Sequence, residues 1–201
     1  MFKLPIRSNI LLTSLAAVAM VLSLQSGSAG ESAKSAFISE MIGQLDRVKG
    51  QIVSLEGAIP QEKFSWRPAE GVRSIGEVYA HVAGSNYFFM TFVGAKPPVD
   101  MKQLMAQEKS EAATTDKAKL ATSLTASFEW TKSALSALTD EDLEKQVTIF
   151  GTKTSVRNVL LTMLGHIHEH LGQSIAYARS NGVVPPWTEE MQAQVKKSTG
   201  K

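Results

Sequence analysis

Apolar residues recur along this chain at helical spacing in four long stretches. Ile38, Met41, Leu45, Val48, Ile52 and Leu55 are separated alternately by three and four positions, and Pro60 stands just beyond. That is the spacing of an apolar seam in a helix bundle. A second stretch opens near Ser74, a good N-cap residue, with Ile75, Val78, Val82, Phe89 and Val93 on one side, and Pro97-Pro98 bar its continuation. A third begins near Thr115-Asp116 and carries Leu120, Leu124, Phe128, Leu135 and Leu138. The fourth begins near Thr154-Ser155 with Val156, Val159, Met163, Ile167 and Tyr177 on one face. It stops at Asn181-Gly182, with Pro185-Pro186 behind. Only residues 146–152 look extended, and they are too short and isolated to build a sheet. The pattern predicts an all-α fold, a four-helix bundle. Its connections are long for a minimal up-and-down arrangement, so the order of helices around the bundle stays open. Residues 188–201 are polar and expected to fray.

The N-terminus reads differently. Lys3 and Arg7 form a basic start, residues 10–24 form an apolar run, and Gly27-Ser28-Ala29 supply small residues for cleavage after Ala29. The run falls short of the ~18–20 residues that a spanning helix needs. The expectation is a cleaved signal peptide over residues 1–29, a bundle over 30–188 and a polar tail over 189–201. The mature protein is then periplasmic, or otherwise outside the cytoplasm, with no remaining membrane span.

Composition narrows the chemistry. The 201 residues include no cysteine. That excludes thiol catalysis, disulfides, Cys-ligated metals and a lipid anchor on cysteine, and leaves His, Asp, Glu or backbone oxygen as metal ligands. The formal charge of +2 comes from Lys3 and Arg7. Residues 30–201 are balanced, so composition gives no support for nucleic-acid binding.

All four histidines fall in predicted helices. His166 and His170 lie one turn apart on one face and can chelate a single ion. His168 lies about 160° round the helix from His166 and cannot join them. His81 flanks the apolar face of the second helix and reaches the bundle interior if that helix neighbours the fourth. Three imidazoles from two facing helices would leave a coordination position open. On spacing alone, such a pair is more often structural or surface-exposed than metal-binding, and a lone His81 more often a core or edge histidine. Glu77, Glu169, Gln173, Asn86 and Tyr177 are all candidates for a general base or a supporting group, and helix angle alone selects none of them.

Two runs of residues carry a family resemblance. Phe64-Ser65-Trp66-Arg67-Pro68, Ser74-Ile75-Gly76-Glu77 and His81 form the first. His166, His170-Leu171-Gly172-Gln173, Gly182 and Pro185-Pro186 form the second. In this order, over about residues 36–188, they resemble DinB/YfiT-like proteins. The resemblance implies a four-helix bundle, often a homodimer, with a divalent metal on His81, His166 and His170. Zinc or nickel suits three imidazoles, and iron or copper is compatible with them.

A site of that kind supports hydrolysis through an activated water, or presentation of a small thiol for transfer or isomerisation. The second chemistry is what characterised branches of the family imply, although such thiols belong to the cytoplasm and this chain reads as exported. The leading expectation is an exported metal-binding protein, a metal-dependent transferase or hydrolase acting on an unidentified small molecule. The alternative is a non-catalytic envelope binding protein with a structural metal or none.

Overall fold

Each long helix opens on a side chain that closes its first turn. In the computed structural model the described residues are 35–98, 100, 102, 103, 105, 106, 109 and 116–199. Helix α1 spans Ala36–Ala58 behind Ser35, and α2 spans Ile75–Phe92 behind Ser74. Helix α3 spans Lys117–Ser136 behind Asp116, α4 is the short Asp140–Glu144, and α5 spans Val156–Ser180 behind Ser155. Helix α6, Pro186–Thr199, ends the described chain. The cap of α2 is reciprocal: Glu77 N–H donates to Ser74 Oγ at 3.2 Å, and Ser74 N–H donates to Glu77 Oε2 at 2.6 Å. Such a capping box satisfies two amide donors that the helix itself cannot. At the other end of α5, Gly182 takes φ +77 and Val183 N–H bonds back to Ala178 O at 2.9 Å.

The predicted seams are the core. Every residue named above for α1 is buried, as are Ile75, Val78, Val82 and Phe89 of α2. Leu120, Leu124, Phe128 and Leu135 of α3 are buried, and so are all five residues named for α5. Val93 and Leu138 lie past their helix ends and are half-buried. Helices α1 and α2 each pack against both α3 and α5, so the order around the bundle is α1–α3–α2–α5. The chain therefore passes between diagonal helices twice, from α1 to α2 and from α3 to α5. Those crossings account for two of the three long connections seen in the sequence; the one from α2 to α3 joins neighbours.

Two expectations change. Residues 146–152 are not an isolated strand: β1 (Gln146–Ile149) pairs antiparallel with β2 (Thr152–Ser155). Lys153-Thr154-Ser155 has little apolar character, and it is the partner strand that makes it extended. The tail expected to fray is helical as α6, which buries none of its residues but touches α1. Half-buried Trp187 packs on the core near its start. The segment read as a signal peptide lies outside the described residues, as does Thr115. No helix among the described residues is long and apolar enough to cross a membrane.

Candidate metal centre

Because α2 and α5 are neighbours, His81 meets the pair from the fourth seam. His81 Nε2 stands 3.1 Å from His166 Nε2. The rings of His81, His166 and His170 are edge-on, with centroids 4.5–5.1 Å apart. One nitrogen from each lies within 4.8 Å of the others, and all three side chains are half-buried. Two nitrogens bound tetrahedrally to one zinc ion at ~2.0–2.1 Å would be about 3.3 Å apart. The His81–His166 spacing is close to this, and the three rings together form a group that could hold one divalent ion. His168 is exposed, with Nδ1 on Leu164 O at 2.9 Å, so it stays outside the cluster.

The groups around the cluster fix its orientation. His170 Nδ1 lies 2.8 Å from Gln173 Oε1, and Gln173 Nε2 donates to Tyr177 OH at 2.9 Å. An amide oxygen can only accept, so the His170 proton sits on Nδ1 and Nε2 carries the lone pair. The Tyr177 ring packs edge-on against Trp66, with centroids 5.3 Å apart. Trp66 is itself tied to α2, since its carbonyl accepts from Ile75 N–H at 3.0 Å and that of Phe64 accepts from Gly76 N–H at 2.9 Å. The Phe-Ser-Trp-Arg-Pro stretch thus braces both the start of α2 and the support of His170. Burial above all, and the nearby His81 and Arg73, hold the His170 imidazole below its usual pKa against the opposing Gln173 bond. Arg73 Nη2 lies 3.4 Å from His81 Nδ1, so a cation borders the cluster.

A cavity of about 540 Å³ adjoins the histidines. Its polar lining is His81, Ser85, Thr162, His166 and Glu169; its apolar lining is Phe88, Phe89 and Phe150, with Gly165 completing it. This separates the five candidate groups. Glu77 serves the α2 cap and receives Arg67 Nη2 at 3.1 Å. Burial pushes its carboxyl up, but the bonds from Ser74 and Arg67 outweigh that and hold it below the usual carboxylate value. Asn86 is buried and donates to Ser127 Oγ on α3 at 3.0 Å. Gln173 and Tyr177 support His170, and Glu169 is the carboxylate among the lining residues.

The sequence reading missed the phenylalanine lining. Its signal was Phe88-Phe89 and Phe92 at helical spacing, together with an aromatic residue before a glycine at the tip of a hairpin.

The model of the DinB superfamily matches residues 44–174. The chain belongs to the DinB superfamily. The Bacillus subtilis (strain 168) protein YjoA, described as uncharacterized, is 30% identical over 129 residues, 62% of this chain and 77% of YjoA. The crystal structure of a DinB-like protein from Bacillus cereus ATCC 10987 matches with a TM-score of 0.61 at 20% identity, covering 75% of this chain and 93% of that one. YfiT from Bacillus subtilis matches with a TM-score of 0.57 at 18% identity, covering 73% and 88%. YfiT is described as a probable metal-dependent hydrolase with an unusual four-helix bundle topology.

Proposed function

We propose that this DinB-superfamily protein holds a divalent metal ion on His81, His166 and His170 and hydrolyses a small molecule bound in the adjoining cavity. The observation that carries the reading is the convergence of three half-buried imidazoles, from two helices, two of which (His81 and His166) line a cavity. The description of YfiT supports hydrolysis over a purely structural ion. The zinc–nickel preference rests on the donor set alone.

A bound ion would supply Lewis acidity that activates water. The chain's own groups do the rest. Gln173 and Tyr177 hold His170 with its Nε2 lone pair available, and Ser85 and Thr162 offer hydroxyls to a polar substrate head. The Glu169 carboxylate takes up and returns a proton at the cavity wall. Glu169→Gln is expected to lower turnover about 10²–10⁴-fold with metal content unchanged.

The deciding test is elemental analysis of the tag-free protein beside His166→Ala. About one metal ion per chain, lost in the variant without loss of helical circular dichroism, supports the reading. No metal in either sample overturns it. Export belongs to the same proposal and rests on residues 1–29; a mature N-terminus at Gly30 in the envelope fraction is the expected mass-spectrometric result. Assembly as a homodimer is the last part, to be read by light scattering.

A further inference from the structure

Three phenylalanines, Phe88, Phe89 and Phe150, line the cavity next to the histidines. We infer that it is a subsite for an aryl or similarly flat apolar arm of the substrate, and that Phe150 at the hairpin tip is its specificity-determining side chain. The inference rests on the hydrolase reading only in placing the arm's polar head at the histidines.

Phe150 is 72% exposed and stands beside half-buried Phe88 and Phe92, so the three form one apolar patch open to solvent. Phe150 also holds φ +49, and the next residue, Gly151, holds φ +79. Between the last paired residues, Ile149 and Thr152, these two form a two-residue loop with both φ positive, the pattern of a type I′ turn. That turn favours Asn-Gly or Gly-Gly, and a phenylalanine in the left-handed region is strained. Nothing in the hairpin's own geometry asks for an aromatic residue at this position.

The neighbouring rings give the reason. Phe150 stands 6.0 Å from Phe88, 6.4 Å from Phe89 and 6.0 Å from Phe92, centroid to centroid. Phe89 in turn lies 5.3 Å from the His166 ring. An aromatic lining therefore runs from the hairpin tip to the histidine cluster, spaced for edge-to-face and offset contacts. The tip is held in place: Ile149 is buried, β2 runs straight into α5, and Val156 N–H bonds to Lys145 O at 2.9 Å. Gly165, on the same cavity, leaves room as well, since a Cβ there would meet no atom within 4 Å. A planar apolar group entering from solvent would cover Phe150 and lie among these rings with its head toward His166.

Acetohydroxamate and benzohydroxamate test this, because they share one metal-binding head and differ in the arm. Both would be titrated by calorimetry into the zinc-loaded full chain, into Phe150→Asn and into Gly165→Leu. Phe150→Asn restores the favoured turn sequence, so its thermal midpoint should hold or rise, and a loss of binding cannot be put down to unfolding. The native chain should prefer benzohydroxamate about tenfold or more, and either variant should reduce that preference to about threefold or less. No preference in the native chain, or an undiminished one in both variants, overturns the inference. The same titrations of the metal-free chain separate the two readings. Acetohydroxamate binding that ignores zinc counts against the metal centre. A Phe150-dependent preference for benzohydroxamate that persists without zinc upholds the aryl subsite by itself.

Discussion

The α1–α3 seam and the α2–α5 seam obey the same packing rules and treat polar groups in opposite ways. Between α1 and α3 the apolar stripes close on each other, and the ion pairs Asp46–Lys132 and Lys49–Glu129 stay outside, with the buried carboxyl of Glu56 on α1 as the exception. Between α2 and α5, three imidazoles face one another half-buried, and beside them lies a cavity instead of packed side chains. A closed seam needs only apolar residues in register. An open one must keep its rings oriented and close together, and that takes supporting bonds such as those from Gln173 and Tyr177.

The most direct way to break this contrast is to remove a ring that faces inward and compare it with one that does not. His170→Ala should weaken metal binding by about a hundredfold or more, since the loss of one ligand exceeds the 10–100-fold cost of losing a ligand's hydrogen-bond partner. The stabilisation that metal gives the native chain, about 2.7 kcal/mol at a hundredfold excess over the dissociation constant, should vanish with it. His168→Ala, two residues away and exposed, should keep native affinity. Competition with a fluorescent chelator reads both. Gln173→Leu comes next: it removes the acceptor that fixes the His170 tautomer and should cost about 10–100-fold in affinity.

These residues also show what the sequence made legible. The three-and-four spacing of Ile38 to Leu55 and its counterparts defined the core, because burial of one helix face leaves a periodic trace. Three of the four histidines could be brought together by helix angle and by a family resemblance. The order of helices could not be read, since the same stripes fit neighbouring or diagonal placements until contacts decide. Strand β2 escaped because its residues are extended by pairing with β1 rather than by their own pattern. The cavity escaped because it depends on which side chains from α2, α5 and the hairpin share one space. Glu169 separates from Glu77 only once the capping box is visible.

The two seams should answer to pH with opposite signs. Burial pushes the Glu56 carboxyl of α1 up from its ordinary 4.5, and the charge of Lys117 only partly offsets this. The fold therefore favours the protonated acid. The stability this contributes is complete below the ordinary carboxylate value and is lost as pH rises through the raised one. His170 is the reverse case. Its lowered pKa favours the neutral ring, so the metal-free protein loses stability as pH falls below the ordinary imidazole value of 6.5. Urea titrations of the metal-free protein from about pH 4 to about pH 8 check both. Glu56→Gln should flatten the decline with rising pH, and His170→Gln the decline with falling pH. Declines that survive these substitutions would mean that the pH dependence arises elsewhere in the bundle.

The smallest effect is expected where charges are most numerous. Lys132 Nζ reaches Asp46 Oδ2 at 2.7 Å and Oδ1 at 2.9 Å, which on geometry alone is a well-made ion pair between α1 and α3. Both side chains are at least 40% exposed, so water and salt screen the attraction, and holding two long side chains together costs rotamer entropy. The pair raises the Lys132 pKa chiefly through its bond to Asp46, yet both groups are open to water, so little of that becomes stability. Asp46→Asn should therefore leave the thermal midpoint unchanged within error, at physiological salt and at about 1 M alike. A clear loss that disappears in high salt would show that the closed seam depends on its surface charges. The contrast with the histidine seam would then be one of degree, with polar groups contributing to stability on both sides of the bundle.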